Sequence, residues 1–152
     1  MRGPAFLVVF VVGCIARPEQ PWELPGDPVP GPMGEGPGCT DSSCGTGKVC
    51  ARNRACYPAD QVRTVHADWT VRGMPASTTS CAGAPDLVIA FVQSASQGLR
   101  LSYAPVPCVE GKFTIDKLPM PYDRVELGRA SGGAPQVAPV DATGAAVLDL
   151  PY

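Results

Sequence analysis

Seven cysteines are the residues of this 152-residue chain with the widest range of possible chemistry. A thiol can close a disulfide, ligate a metal ion as a thiolate, or carry a covalently attached lipid. Four of the seven lie within residues 39–56, two stand apart further along the chain, and one lies near the amino end. In that order they are Cys39, Cys44, Cys50 and Cys56, then Cys81 and Cys108, and finally Cys14.

The spacing of the four clustered cysteines favours disulfides over a zinc site. Zinc sites usually place their thiolates in close pairs so that two neighbours grip one ion. Here no two cysteines are closer than five positions, and no histidine lies nearby. We therefore expect a small disulfide knot over residues 39–58, with no metal ion and no cofactor. Four cysteines can pair in three ways. We favour the pairing of the first with the third and of the second with the fourth, which is Cys39 with Cys50 and Cys44 with Cys56.

Cys81 and Cys108 are expected to form a third disulfide. They lie on either side of a strongly apolar segment, residues 87–92, that reads as a central strand. Closing a loop of this length stabilises a small domain by about 3–4 kcal/mol on the chain-entropy model.

The first fourteen residues have the layout of an export signal that ends in a cysteine. Arg2 precedes an unbroken apolar stretch over residues 5–12, far shorter than the roughly 20 residues of a membrane-spanning helix. The sequence Val11-Val12-Gly13-Cys14 resembles the lipobox of bacterial lipoproteins. That resemblance implies a signal peptide over residues 1–13 and lipidation of Cys14 after cleavage. The alternative is an ordinary cleaved signal peptide with an incidental cysteine.

Lipidation of Cys14 also explains the odd number of cysteines. An exported protein with an unpaired thiol needs an explanation, and setting Cys14 aside leaves six cysteines for three disulfides. Ile15 follows where inner-membrane lipoproteins of enteric bacteria carry an aspartate, which favours the outer membrane. We expect an exported protein, anchored by its lipid to the periplasmic face or to the cell surface.

Residues 14–38 are predicted to be a disordered tether. Of residues 17–38, seven are proline and five are glycine, with no apolar periodicity. Such a composition gives an extended spacer rather than a packed element. A ligand for a proline-binding domain is the alternative interpretation.

Residues 62–152 are predicted to form a small antiparallel β-sandwich. Apolar and polar residues alternate over Val62–Val71, the period of a half-buried strand. Shorter alternating segments follow around Leu101, Phe113, Val125 and Leu148, separated by glycine and proline turns. Six or seven short strands without a helical period indicate a sandwich.

The residues that usually perform catalysis form no recognisable motif. His66 is the one histidine and lies on the polar side of the predicted first strand, where a solvated side chain is expected. The serines occupy polar turns rather than a nucleophile elbow. Three carboxylates could gather near one loop, but calcium requires more oxygen ligands at closer spacing; they are Asp116, Asp123 and Glu126. We expect no enzymatic activity.

The charge distribution excludes a general affinity for nucleic acid. The formal net charge is −2 at pH 7, so the chain has no overall basic field. Lys48, Arg52 and Arg54 give the knot a small positive patch that could contact an anionic lipid or glycan, although exposed cations mostly serve solubility.

One segment resembles carboxypeptidase-regulatory-like, transthyretin-like β domains. The motif of that family is a glycine, a strand that carries a phenylalanine, a Leu-Pro break and a tyrosine that opens the next strand. Gly111, Phe113, Leu118-Pro119 and Tyr122 occupy those places. Pro121 stands where the family has a glycine, and the interval from Tyr122 to Val125 is one residue longer. The resemblance implies a sandwich fold and no particular activity.

Taken together, these features predict a non-enzymatic, lipid-anchored envelope or cell-surface protein. Its β domain and cysteine-rich module would make structural or binding contacts with a protein or glycan partner. The alternative is an accessory or inhibitor-like component of an envelope complex, in which the knot binds a partner enzyme such as a protease.

Overall fold

The computed structural model describes residues 38–95 and 99–152. The signal peptide, Cys14 and all but the last residue of the predicted tether lie outside the described residues. The predicted fold class is confirmed, since the described part is mainly β and contains no α-helix. Its helical elements are three single turns of 3₁₀ helix, Asp41–Ser43, Ala59–Gln61 and Cys108–Glu110.

The knot is a two-stranded hairpin joined by two disulfides to the segment that precedes it. Strands β1 (Lys48–Cys50) and β2 (Cys56–Pro58) pair antiparallel, with Cys50 directly opposite Cys56. Cys50 is bonded to Cys39, and Cys56 is bonded to Cys44. Of the three pairings that the sequence left open, the structure therefore has first with third and second with fourth.

The first sheet of the sandwich is organised around one long strand. Strand β3 covers Val62–Val71, the range that the alternation predicts, and its buried side chains are Val65, Ala67, Trp69 and Val71. One edge of β3 pairs with β10 (Ala145–Leu150). The other edge pairs with β7 (Lys112–Pro119) and with the two-residue strand β4 (Met74–Pro75).

The second sheet has the order β6-β5-β8-β9 and is antiparallel throughout. Its strands are β5 (Asp86–Gln93), β6 (Arg100–Pro107), β8 (Tyr122–Arg129) and β9 (Gln136–Pro139). The segment predicted to be a central strand is indeed internal, because β5 has β6 on one side and β8 on the other.

One strand pair departs from the antiparallel pattern. Strand β10 runs parallel to β3, with Ala145 opposite His66 and Leu150 opposite Val71. The reason is that the chain reaches β10 from β9 of the opposite sheet, not through a hairpin from a neighbouring strand of the same sheet. We call the connection between β9 and β10 the corner. Asp141 organises the corner, because its Oδ1 accepts hydrogen bonds from the backbone N–H groups of Thr143 and Ala145, each at 2.8 Å.

The core lies between the two sheets and is almost entirely apolar. The largest fully buried side chains include Phe91, Leu87, Ile89, Leu118 and Leu127, and each such side chain contributes about 1.5–3 kcal/mol through burial. The third disulfide, Cys81–Cys108, closes one end of this core. The indole N–H of Trp69 donates to the Cys108 carbonyl at 2.9 Å, so this buried indole donor is satisfied.

Candidate functional site

The knot docks onto the sandwich at an irregularity in strand β7. Arg63 lies opposite Leu118 and Val65 lies opposite Ile115, so three steps along β7 match two steps along β3. The extra residue makes a β-bulge, which bends a strand and redirects its side chains. Lys117 in this bulge has a φ of +49°, a left-handed conformation that is costly for a residue with a side chain.

Two ion pairs join the knot to the bulge. The Arg52 guanidinium pairs with the Asp116 carboxylate, and its Nε donates to the Asp116 carboxylate at 2.8 Å. The Lys117 ammonium lies 2.5 Å from Oδ2 of Asp41. The backbone takes part as well, since the Arg52 N–H donates to the Lys117 carbonyl at 3.2 Å. The bulge thus presents an anion and a cation to matching charges of the knot.

Asp41 connects this contact to the interior of the knot. Its Oδ1 accepts a hydrogen bond from the Cys50 N–H at 2.8 Å, while its Oδ2 faces Lys117. The hydrogen bond from Lys117, with the one from Cys50, lowers the pKa of the Asp41 carboxyl. The hydrogen bond from Arg52 likewise lowers the pKa of the Asp116 carboxyl. Both carboxylates are therefore ionised at neutral pH, as the docking requires.

These ion pairs orient the knot more than they stabilise it. The side chains of Arg52 and Asp116 are 45% and 52% exposed, and those of Lys117 and Asp41 are 38% and 55% exposed. Solvent screens charges at such exposure, so ion pairs of this kind contribute little to the free energy of unfolding. Their value lies in fixing where the knot sits relative to the sheet edge.

Asn53 is a polar residue of the knot that lies near the end of the sandwich. The Asn53 side-chain amide donates to the Tyr57 hydroxyl at 3.0 Å. Tyr122, which opens β8, is 2% exposed, and burial raises the pKa of its hydroxyl although hydrogen bonds with Gln93 and Asn53 oppose the rise. Gln93 is the one buried polar residue of the described chain. Asn53 of the knot and Gln93 of the sandwich thus both influence the pKa of this buried tyrosine.

An aromatic cluster lies beside the charged contact. The rings of Tyr103 and Phe113 are 5.4 Å apart, and each lies about 6 Å from the ring of Phe91, at 6.2 and 6.1 Å. Phe91 is fully buried, whereas Tyr103 and Phe113 are partly exposed. Burial raises the pKa of the Tyr103 hydroxyl, which also feels the charges of Arg52 and Asp116. The aromatic cluster and the ion pair are thus neighbours.

We call this composite the junction surface and define it by Arg52, Asp116, Lys117, Tyr103 and Phe113. It lies where edge strands β6 and β7 of the two sheets face each other. It combines partly exposed aromatic faces with an arginine and a carboxylate, the chemistry that protein and glycan recognition uses. The two prolines of β6, Pro105 and Pro107, remove backbone donors from that edge, which disfavours pairing with a further strand.

The structure separates the polar residues that the sequence singled out. His66 is exposed, and its Nδ1 lies 3.1 Å from the Thr114 hydroxyl, across the outer face of the first sheet. The three carboxylates each have a different partner: Asp116 pairs with Arg52, Glu126 pairs with Arg100 at 2.7 Å, and Asp123 accepts from Ser94. They form no common cation site within the described residues.

The positive patch of the knot is smaller than its sequence indicates. Arg52 is turned toward Asp116 and paired with it, which leaves Lys48 and Arg54 as the cations of the knot with no ion pair within the described residues. The stem of Arg54 packs beside Gly38, since a Cβ added to Gly38 would lie 3.2 Å from the Cδ of Arg54. A glycine at the entrance of the knot thus makes room for this arginine.

The sulfur atoms of the knot are closer than the spacing of its cysteines suggests. The Sγ atoms of Cys39, Cys44 and Cys56 all lie within 4.8 Å of one another. All three belong to disulfides, and a metal ligand must be a thiolate. In this oxidised state the cluster offers no thiolate to an ion.

Sequence reasoning missed the bulge, although the sequence carries a signal for it. Phe113 and Ile115 alternate with polar residues, and the next buried apolar residue is Leu118 rather than residue 117. The two-residue period of buried apolar side chains along β7 is therefore interrupted by one extra residue, and one extra residue in a strand is what defines a β-bulge. Nothing in the spacing indicated that the displaced residues would contact the knot.

Comparison of the chain with protein-family models, with curated proteins and with solved structures gave no match. Among the described residues, no helix is long and apolar enough to span a membrane. The site must therefore be interpreted from its own geometry.

Proposed function

We propose that this chain is a non-enzymatic lipoprotein of the bacterial envelope or cell surface, anchored through Cys14, whose folded part makes binding contacts. The observation that carries the proposal is the pairing of cysteines. All six cysteines in the described residues are in disulfides, which leaves Cys14 of the lipobox-like sequence as the seventh. Three disulfides fit an oxidising compartment outside the cytoplasm.

The junction surface is the part of the fold best suited to hold a partner. Arginine and tyrosine are among the residue types enriched at interaction hot spots, and here the charge of Arg52 lies close enough to Tyr103 to influence the pKa of its hydroxyl. The partner we propose is a protein or a glycan of the envelope. The lipid anchor would hold the protein at the membrane, and residues 17–38, with seven prolines and five glycines, would act as a spacer.

Lipidation is tested on protein isolated from the producing cell. We expect a mature amino terminus at Cys14 that carries a diacylglyceryl group, measured by intact mass and by metabolic labelling with a fatty acid. The Cys14→Ser variant should lose the label and move from the membrane fraction to the soluble fraction. A wild-type chain with an unmodified Cys14 thiol would contradict the anchor while leaving the folded part untouched.

Binding is tested separately by cross-linking on intact cells followed by mass spectrometry. The Tyr103→Ala and Arg52→Ala variants should lose the partners that the wild type captures. His66→Ala is the matched control, because it removes an exposed side chain from the outer face of the first sheet that is not part of the junction surface. Loss of the same partners in His66→Ala, or their full retention in Tyr103→Ala, would rule out the junction surface.

The enzyme-inhibitor alternative lacks a specific supporting contact. The two large apolar residues of the knot, Val49 and Tyr57, are both half-buried, and the Tyr57 hydroxyl accepts from Asn53. A knot that inserts into a protease would present such residues to solvent. We therefore propose no second function.

A further inference from the structure

The two disulfides of the knot run side by side, and this arrangement has a chemical consequence. Cys50 and Cys56 are directly opposite each other in the hairpin, yet each is bonded to a cysteine of the preceding segment. Two bridges that leave neighbouring positions in the same direction bring their sulfur atoms together. The Sγ atoms of Cys39, Cys44 and Cys56 accordingly lie within 4.8 Å of one another.

We propose that the knot is a thiol–disulfide exchange site in which its two disulfides are coupled, with Cys56 as the entry point for a dithiol reductant. The proposal is independent of the lipid anchor and of any partner bound at the junction surface. It rests on three observations. The first is the sulfur cluster, defined by the Sγ atoms of Cys39, Cys44 and Cys56. The second is the greater exposure of the knot disulfides than of Cys81–Cys108, and the third is the contact of Asp41 with Lys117 that holds the knot in place.

Exposure identifies the sulfur that a reductant attacks first. Cys56 is exposed, whereas Cys44, its partner, is 9% exposed. The sandwich disulfide is far less accessible, since Cys81 and Cys108 are 3% and 1% exposed. Thiol–disulfide exchange requires a thiolate to reach one sulfur of the bond. A dithiol therefore reaches Cys56 without opening the fold and reaches Cys81–Cys108 only after the sandwich opens.

The first step is attack of one reductant thiolate on the Sγ of Cys56. A bond forms between the reductant sulfur and Cys56, the Cys44–Cys56 bond breaks, and Cys44 leaves as a thiolate. The Cys44 thiolate forms close to its next target, because the Sγ atoms of Cys44 and Cys39 lie within 4.8 Å of each other in the oxidised structure.

The second step is internal and transfers no net electrons. The Cys44 thiolate attacks Cys39, a Cys39–Cys44 bond forms, the Cys39–Cys50 bond breaks, and Cys50 leaves as a thiolate. The second thiol of the reductant releases Cys56 as a thiol and leaves the reductant as a disulfide. The product has gained two electrons and two protons at neutral pH, and its free thiols are Cys50 and Cys56.

This exchange should alter the docking of the knot. Asp41 lies in the segment between Cys39 and Cys44, and it holds both the Cys50 N–H and Lys117. A bond between Cys39 and Cys44 closes this segment on itself and frees it from the hairpin. The contact between Asp41 and the β7 bulge is then no longer held by a covalent link to β1 and β2.

The exchange is tested on the full chain in a Cys14→Ser background, which removes the only cysteine outside the described fold. The protein is treated with limiting dithiothreitol, quenched in acid, alkylated and mapped by mass spectrometry. We expect a two-electron-reduced fraction with Cys50 and Cys56 alkylated and Cys39 joined to Cys44. Cys81 and Cys108 should become labelled at least about tenfold more slowly, since their labelling needs local unfolding.

A second variant tests the internal step without a reductant. Cys56→Ser leaves Cys44 as a free thiol beside an intact Cys39–Cys50 bond, and we expect the free thiol to be found partly at Cys50. Cys108→Ser is the matched control, because it leaves Cys81 as a free thiol that is buried and is not part of the sulfur cluster. In this variant the free thiol should be found at Cys81 alone.

Two results would overturn the proposal. One is a two-electron-reduced fraction that retains only Cys39–Cys50 and never contains Cys39–Cys44. The other is labelling of Cys81 and Cys108 as fast as labelling of the knot. If Cys56→Ser does not fold, the dithiothreitol experiment on the chain with all six cysteines still decides between these outcomes.

Discussion

The corner between β9 and β10 depends on a glycine that no other residue can replace without cost. Gly144 has a φ of +86°, and a Cβ placed on it would collide with the backbone carbonyl oxygen of Thr64. Its own carbonyl accepts from the His66 N–H at 2.8 Å, and its N–H donates to the Asp141 carbonyl at 3.1 Å. The residue is therefore fixed between β3 and the corner, and neither side can move aside freely.

We predict that Gly144→Ala lowers the free energy of unfolding by about 2–5 kcal/mol. The left-handed conformation costs an alanine about 1–2 kcal/mol. Forcing an extra methyl group against backbone in a packed region typically costs a further 1–3 kcal/mol. Because Thr64 is in β3, relief of the collision requires a shift of β3 away from β10 or a rearrangement of the corner.

Gly73→Ala separates the two contributions. Gly73 has a similar φ of +71°, but a Cβ there would meet nothing within 4 Å. Gly73→Ala should lower the free energy of unfolding by only about 1–2 kcal/mol, the contribution of the left-handed backbone conformation alone. Urea denaturation followed by circular dichroism measures both variants, and the difference between them gives the collision. Equal destabilisation of the two variants, within about 0.5 kcal/mol, would refute the reasoning, since additivity errors are of that size.

Three further predictions concern the contacts that hold the fold together. Asp116→Asn should lower the free energy of unfolding, measured by urea denaturation, by only about 0–1 kcal/mol, yet it should speed amide hydrogen exchange in the knot. Unchanged exchange rates would mean that the ion pair with Arg52 does not hold the knot in place. The pKa values of Asp41 and Asp116 are lowered in the folded state, so the stabilisation from these two carboxylates is present above the unfolded pKa of about 3.9 and is lost as the pH falls through their folded pKa values. Because intrinsic amide exchange itself slows as the pH falls, the knot is followed by protection factors, which compare the observed rate with the intrinsic rate at each pH. These protection factors should fall in that acid range, and protection factors that stay constant from pH 7 to pH 2 would contradict the docking. The centre of the Tyr152 ring lies 4.0 Å from the Arg129 guanidinium carbon, and the Tyr152 hydroxyl has no hydrogen-bond partner within the described residues. Tyr152→Phe should therefore leave the free energy of unfolding unchanged or raise it by up to about 1 kcal/mol, whereas Tyr152→Ala should lower it by about 1–3 kcal/mol. Equal losses in the two variants would contradict this interpretation.

Much of the sandwich follows from alternation alone. The bounds of β3 are those of the apolar period over Val62–Val71, because a strand with one buried face must repeat every two residues. The internal position of β5 follows from its apolar character on both faces. Short β9 was missed, since its four residues, Gln136–Pro139, include a proline and one buried side chain, Ala138.

The parallel pairing of β10 could not be predicted from its own residues. Alternation shows that Ala146, Leu148 and Leu150 share a buried face, but the same face serves a parallel or an antiparallel partner. The direction is fixed by the corner that carries the chain from one sheet to the other. That corner requires Gly144 to lie against Thr64, a contact between residues 80 positions apart in the sequence.

The bulge in β7 explains why the knot and the sandwich cannot be interpreted as separate recognition modules. A regular strand would keep Asp116 and Lys117 in alternation with their neighbours, one toward the core and one toward solvent. The extra residue instead presents both charges to the knot, where Arg52 and Asp41 meet them. The left-handed conformation of Lys117 is unfavourable in itself, and it places the Lys117 ammonium against Asp41 of the knot. Any partner that approaches this edge of the sandwich therefore meets the knot as well, and variants of the knot alone should change the affinity of the whole protein for that partner.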